Sequence, residues 1–522
     1  MCPARSRGRA HPGPAVKAER MTVRAAPRRT YRRQWSAPRR KAARAAACAA
    51  AIVLSACAGI EPRGGAPAGS LPSSAAARAP QGSGNSPEHQ SIVALFDGEY
   101  QHPSAAAYLN GVLLQLAQAG ERPSEPYKVT ILNSPTINAF ALPPGNLYLT
   151  RGLLALANDG SEIAAVMAHE IGHITAQHAL QREEEEKRAA LISRAAGVVQ
   201  SRQKSEEVAA EAKRTIASFS RSQELEADQI GIRAAAKAGY DPFGAARFLT
   251  SLDRSAALRS SLMGPYANAG KPDILATHPS TPDRIARAIA AARQIGAPGI
   301  GKTDRAAYLS AIDGVMFGDD PAEGAVRGRK FFHARLGFAF LAPEGFSLEN
   351  TAQAVLGIGN GGSEALRVDS VQLDPSTALT AYVASGWIEG LEGSSIEPMQ
   401  INGMEAAAAN ASAGEWQFRV AAIRFDADRV YRLIYAARAL TPEVKERFQS
   451  MAASFHRLTP QEIAAARPLR LAIVAAKPGE TAETLAARMA VPVRPLDYFL
   501  LLNGLSRGEP LRTSEHYKIV VE

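Results

Sequence analysis

A chain of 522 residues with 46% hydrophobic side chains is too long for one ordinary domain and has apolar mass for several cores. Its net charge of +10 is concentrated at one end: residues 1–56 hold 14 Lys+Arg and one acidic residue, leaving 46 basic and 49 acidic side chains in the remainder. The folded part is therefore close to neutral, which excludes a charge-driven nucleic-acid surface, and its lack of cysteine beyond Cys57 excludes a disulfide scaffold.

In chain order, Arg39, Arg40, Lys41 and Arg44 lead into an apolar run over 45–56 that is too short for an ordinary spanning helix. The run closes with Leu54-Ser55-Ala56-Cys57, which resembles a bacterial lipobox. That resemblance implies cleavage before Cys57 and a lipid on its sulfur, so 1–57 is read as a leader starting at Met1 or Met21. Ala58, standing where an Asp would favour the inner membrane, implies the outer membrane in a cell that has two. Residues 58–88 are Gly, Pro, Ala and Ser with few large apolar side chains, a tether of roughly 30 Å root-mean-square reach.

Residues 89–310 read as a first globular region. The pattern predicts a helix over 104–118, a strand over 127–132, a strand pair over 137–149 broken at Pro143-Pro144-Gly145-Asn146, and a short helix over 151–157. Asp159 and Glu162 have the spacing of a capping box that opens a longer helix. Residues 182–223 read as helical and too polar to cross a membrane, and a helix over 222–238 stops at Gly239. Residues 325–460 alternate in short runs, as in 336–341 and 429–435, with helices expected near 376–390 and 442–454; they suggest an antiparallel sheet, and the Gly-rich 357–362 reads as a turn. Residues 468–522 read as strand (471–475), helix (482–489), helix (495–502) and strand (517–521). The fold class is α+β and multidomain.

The chemistry concentrates in His169-Glu170-Ile171-Gly172-His173, which follows the apolar run 163–168. Residues four apart on a helix lie about 40° apart around its axis, so both imidazoles reach one metal ion, and Glu170 can take a proton from a water bound there. A third ligand is needed. Glu224 and Asp228 lie one helical turn apart on one face, so that one carboxylate binds metal and the other holds a ligand histidine. Glu226 is about 200° from Glu224 and is expected to point elsewhere. His178, on a continuous helix, falls about 180° from His169 and reads as a packed or hydrogen-bonded histidine. Glu183 to Glu186 read as a solvated helix face.

The segments 138–145, 148–154, 168–173 and 220–228 together resemble the HtpX- and BepA-type zinc metallopeptidases, a group that includes the CAAX prenyl proteases. The resemblance covers about 90–295. It implies a gluzincin fold with one zinc ion on His169, His173 and Glu224, Glu170 as general base and Asp228 supporting a ligand. It also implies that Asn138, Ala139, Phe140, Ala141 and Leu142 form the edge strand on which substrate backbone pairs. The His278-Pro279 element resembles one whose histidine closes the open zinc position and keeps the enzyme latent; a loop histidine is the alternative. Arg284 steadies that loop or a substrate carbonyl, or makes a surface salt bridge. Residues 478–481, 485–486, 501–505 and 517–520 resemble a LysM module, which implies peptidoglycan binding, with a structural cap as the alternative. The middle region vaguely resembles PsbP/Mog-type sheets, and no activity is assigned to it. The function expected is a lipid-anchored periplasmic zinc endopeptidase that cleaves misfolded or stalled envelope proteins. The alternative is a non-catalytic, peptidoglycan-binding, chaperone-like lipoprotein.

Overall fold

Helix α1 (Pro87–Leu95) starts where Ser86 accepts a hydrogen bond from the His89 N–H, with proline at the first helical position. This helix starts within the last two residues assigned to the tether. The computed structural model describes residues 86–182, 184, 187, 221–263, 274, 278, 281–351 and 353–522. Cys57, the leader, the tether up to residue 85 and most of the helix expected over 182–223 lie outside the described residues. Among the described residues no helix is long and apolar enough to cross a membrane.

Helix α2 (Pro103–Ala119) buries Leu109, Val112, Leu113 and Leu116, the one-sided stripe that a 3.6-residue period requires. Strands β1 (Lys128–Leu132), β2 (Ala139–Leu142) and β3 (Asn146–Thr150) form a sheet in the order β1-β3-β2. The expected strand pair is the antiparallel β2–β3 hairpin; β3 also runs parallel to β1, which leaves β2 at an edge. Helix α3 (Arg151–Leu156) follows directly, capped by the Thr150 side chain.

Helix α4 (Gly160–Thr175) carries the His-Glu-x-x-His run and is buried at every position from Gly160 to Gly172. A helix buried on all sides sits at the centre of its domain. Asp159 caps it by accepting from the Glu162 N–H at 3.0 Å. The expected reciprocal arm is displaced: Glu162 Oε2 accepts from the Asn158 N–H at 2.9 Å, one residue before the cap. A helix over 221–237, α5, crosses α4 at two glycines. A Cβ on Gly231 would stand 2.8 Å from the His169 nitrogen, and one on Gly172 would stand 3.1 Å from the Ala227 carbonyl oxygen. This close approach brings Glu224 and Asp228 up to the histidines. Helices α6 (Gly244–Met263), α7 (Pro282–Ile295) and α8 (Arg305–Ile312) complete the region.

The middle region is a seven-stranded antiparallel sheet in the order β11 (Glu397–Ile401), β12 (Met404–Ala413), β13 (Trp416–Arg424), β14 (Arg429–Ala437), β10 (Glu364–Gln372), β9 (Val355–Gly359), β8 (Ser347–Asn350). It is accompanied by a smaller four-stranded sheet in the order β15 (His456–Arg457), β7 (Phe338–Leu341), β6 (Lys330–His333), β5 (Ala325–Arg327). Alternate residues of β14 feed two cores. Tyr431, Leu433 and Tyr435 join Phe448 and Met451 of α10 (Pro442–Ser454), while Val430, Ile434 and Ala436 join Leu379 and Val383 of α9 (Leu379–Ala384). The helix expected over 376–390 is therefore only six residues long; it ends at Ser385 and Gly386, whose φ is +86°, and Trp387 then stacks on Tyr382. The Gly-rich run closes β9 (Val355–Gly359) and turns at 360–362 into β10 (Glu364–Gln372).

The last region holds β16 (Leu469–Ala475), a helix over Ala482–Ala486 that is shorter than expected, a helix over Pro495–Leu502, and β17 (His516–Val521). Its sheet takes a third strand, β4 (Met316–Phe317), from the segment leaving α8. Leu485, Phe499 and Ile519 share one hydrophobic cluster with Leu153, Ile163 and Leu309 of the first region. Lys518 is fully buried, and its Nζ donates to the carbonyls of Ala155 at 2.8 Å and Ala157 at 2.6 Å. Those oxygens close α3, where intrahelical partners run out and positive charge is favoured. The Lys518 amine, whose pKa burial lowers well below the ordinary lysine value, thus fastens the last region just ahead of the metal-motif helix.

Candidate metal centre

Helix α4 presents His169, Glu170 and His173, and α5 presents Glu224 against them. His169 Nε2 and His173 Nε2 lie 3.0 Å apart, and each stands 3.4 Å from an oxygen of Glu224. His278 joins them: its Nδ1 is 2.8 Å from Glu224 Oε1 and 3.3 Å from His169 Nε2. One donor atom from each of His169, His173, Glu224 and His278 falls within 4.8 Å of the others. Three imidazoles and one carboxylate, largely buried, are the nitrogen and oxygen donors that zinc accepts in tetrahedral sites. Glu170 Oε1 is buried without a hydrogen-bond partner among the described residues and lies 3.9 Å from His278 Nε2. A buried carboxylate oxygen in that state calls for a partner such as a water or an ion. The donor set and this orphaned atom together fit a zinc ion with a water beside it.

The electrostatics agree with that fit. Burial by itself depresses His169, but its bonds to Asp228 and Glu224 outweigh burial and raise its pKa to about 10. Burial pulls His173 down to about 3, opposed by Glu224 and helped by the neighbouring His169 and His278. Glu224 is held well below the usual carboxylate range: burial works against it, but three histidines around it win. Two imidazoles so close cannot both be charged, and a metal ion bound there would take the place of a proton between them.

Supporting residues orient the donors. Asp228 Oδ1 stands 2.9 Å from His169 Nδ1. Arg284 grips Asp228 with two arms, Nε to Oδ2 at 2.9 Å and Nη2 to Oδ1 at 2.7 Å, and its Nη1 lies 3.0 Å from Glu224 Oε2. Despite its burial, Asp228 is thereby kept at about 2. Arg284 is itself buried on α7, so the surface salt bridge allowed by the sequence is not what forms. His178 is the packed, hydrogen-bonded histidine the sequence suggested, but it does not lie on the far side of the helix where counting helical angle puts it. Helix α4 ends at Thr175, and Gln177 adopts a left-handed φ of 56°, which folds the chain back. His178 Nδ1 then lies 2.9 Å from His173 Nδ1, and its Nε2 lies 3.4 Å from Glu226 Oε2. Glu226 does point away from Glu224's contacts, but towards this second histidine. Only a turn signal at 176–177 would have revealed the arrangement, and Ala-Gln carries none.

Beside the histidines is a pocket of about 390 Å³, including its open mouth, with Val166, Phe248, Leu249, Leu252 and Ile274 on its apolar side and Glu170 and His278 on its polar side. Of the expected edge-strand residues, Ala139 to Leu142 form β2, packed against α4, and Asn138 precedes it, bonded through its N–H to Thr150 Oγ1.

Residues 103–292 match the model of peptidase family M48, a span that contains the whole donor cluster with Glu170, Asp228 and Arg284. The chain is 30% identical over 203 residues to the beta-barrel assembly-enhancing protease of Escherichia coli (strain K12), covering 37% of this chain and 40% of that protein. It is 32% identical over 160 residues to the mitochondrial metalloendopeptidase OMA1 of Arabidopsis thaliana, covering 30% of this chain and 29% of that one. The chain thus spans about two fifths of the length of the first relative. Among solved structures, cyanobacterial PsbP from Synechocystis sp. PCC 6803 is similar at a TM-score of 0.20 and 14% identity, over 26% of this chain and 94% of that one, a likeness that carries no argument.

Proposed function

We propose that this protein is a zinc-dependent endopeptidase of the bacterial envelope that cleaves misfolded or stalled envelope proteins. The observation that carries the reading is the convergence of His169, His173 and Glu224 beside the unpartnered carboxylate oxygen of Glu170. When bound, zinc supplies Lewis-acid polarisation of the scissile carbonyl and acidifies an adjacent water. Glu170 accepts that water's proton as oxygen attacks the carbonyl carbon, then hands it to the departing amine as the C–N bond breaks. Asp228, pinned by Arg284, keeps the His169 ring turned so that its Nε2 faces inward. Substrate backbone pairs with the outer edge of β2, which runs beside α4 and pairs with no strand other than β3 among the described residues. The apolar pocket takes the side chain that follows the scissile bond, because Glu170, which protonates that side's amine, forms its wall.

His278 occupies the fourth corner of the donor set and acts as a latch that substrate or a partner must displace. Cys57 carries the lipid, and the outer membrane is the favoured leaflet system. Residues 468–522 contact peptidoglycan through the loops at 476–481 and 503–515, which leave one end of the β16–β17 pair together. The beta-barrel assembly-enhancing relative supports outer-membrane proteins as the substrate class. The experiment is a zinc determination with hydrolysis of casein and of an unfolded outer-membrane protein, with and without chelator. Zinc near one per chain and chelator-sensitive cleavage are expected, and Glu170→Gln should keep the zinc and lose cleavage. Cleavage by Glu170→Gln at the wild-type rate refutes its role. A His278→Ala enzyme no more active than wild type refutes the latch, and failure to sediment with purified sacculi refutes the glycan contact.

A further inference from the structure

From the second histidine pair we infer that His178 and Glu226 form a positioning relay that fixes the His173 ring for metal binding, an inference that rests on the metal-centre reading above. His173 Nδ1 points at His178 Nδ1 at 2.9 Å, and His178 Nε2 points at Glu226 Oε2 at 3.4 Å. A carboxylate accepts only, so a hydrogen on His178 Nε2 is the one that satisfies Glu226. A neutral imidazole protonated there has a bare Nδ1, which must accept, and the His173 Nδ1–H is the donor in reach. His173 is then left with its lone pair on Nε2, the atom that faces His169 Nε2 at 3.0 Å and Glu224 at 3.4 Å. One hydrogen-bond direction runs from the metal ligand out to a carboxylate whose side chain is 60% exposed.

The relay is the counterpart of Asp228 on His169, built from a different element. Asp228 lies one turn after Glu224 on the inner face of α5, while Glu226 projects from its flank and needs His178 as a spacer. The left-handed Gln177 places that spacer, and Gln223 Nε2 holds it by donating to the His178 carbonyl at 3.4 Å. His178 is buried to 2% exposure, so water does not substitute for it. It touches no reacting atom and is a positioning residue.

The test is zinc affinity of the full chain by chelator competition, read with the melting temperature of the zinc-free protein. His178→Phe keeps a planar aromatic ring, somewhat larger than imidazole, and removes both ring nitrogens; it should weaken zinc binding about 10- to 100-fold, as loss of such outer partners does. His178→Asn restores an acceptor near the Nδ1 position and should recover most of that loss, with the zinc-free melting temperature of both variants close to wild type. Glu226→Ala should weaken binding in the same direction by less. Wild-type affinity in His178→Phe, or equal losses in the Phe and Asn variants, overturns the relay. If the Phe variant fails to fold, long-range ¹H–¹⁵N spectra of histidine-labelled, zinc-loaded wild type decide: His178 protonated on Nε2 supports the relay, and protonated on Nδ1 overturns it. A wild-type chain that binds no zinc overturns the metal centre as well, which separates that failure from failure of the relay alone.

Discussion

The middle sheet buries Asp369 and Glu364 about as deeply as the helical region buries Glu224 and Glu170, yet the two pairs of carboxylates are partnered differently. Asp369 accepts two bonds from Arg432, at 2.7 and 2.9 Å, and a third from Arg367 at 2.7 Å. Glu364 is met by Arg447, Asn360 and the Tyr435 hydroxyl. Every oxygen of these two carboxylates faces a group that carries hydrogens. In the helical region three imidazoles crowd one carboxylate, their inner nitrogens face each other, and Glu170 Oε1 is left over. Depth of burial therefore does not distinguish a site from a structural ion pair. What distinguishes the helical cluster is three imidazoles and a carboxylate whose donor atoms converge within 4.8 Å of one another, beside a Glu170 Oε1 that has no hydrogen-bond partner among the described residues.

The contrast can be broken most sharply by removing one carboxylate from each region. Glu224→Ala should take zinc content from about one per chain to near zero and abolish peptide hydrolysis, measured by metal analysis and a casein assay; retained zinc would place the contrast in error. Asp369→Ala should leave zinc content unchanged but cost about 3–5 kcal/mol in chemical denaturation, because two guanidinium groups lose their buried partner. The join between the regions is tested next. Lys518→Met should cost about 1–3 kcal/mol by leaving the Ala155 and Ala157 carbonyls unsatisfied, read as a lowered thermal midpoint. The smallest effect is a pH dependence confined to the middle region. Burial, with Arg335 and Arg429 nearby, lowers His333 to about 4. The unfolded chain then binds the extra proton first, so the His333 contribution is complete above about pH 6.5 and is lost as pH falls towards 4. His333→Gln should flatten that slope between pH 7 and 4.5 in denaturant titrations.

Much of the first region was legible because its signals are local. The His169–His173 spacing needs only the helical period, and so does the one-turn spacing of Glu224 and Asp228. The β2–β3 hairpin is written in its proline-glycine break. Other expectations needed revision where the chain turns without a marker. The helix over Leu379–Ala384 is much shorter than its hydrophobic pattern suggested, and the capping partner of α4 is displaced by one residue. Strand β4 was not anticipated at all, since two residues carry no period, and its partner β16 lies about 150 positions away.

Sequence alone determined that a pair of histidines with a glutamate between them shares one helix face, and that two carboxylates wait on another. Periodicity in φ and ψ propagates such relations over a turn or two and no farther. Tertiary structure decided which carboxylate joins the histidines and which stands behind them, because the glycine crossing of α4 and α5 sets that register. It also decided that Arg284 is buried against Asp228, that Gln177 turns His178 onto His173, and that Lys518 reaches the end of α3. Each of these is a buried polar contact whose partner is remote in the chain or displaced by an unmarked turn, and the cost of leaving such groups unpaired acts only once the surrounding elements have packed.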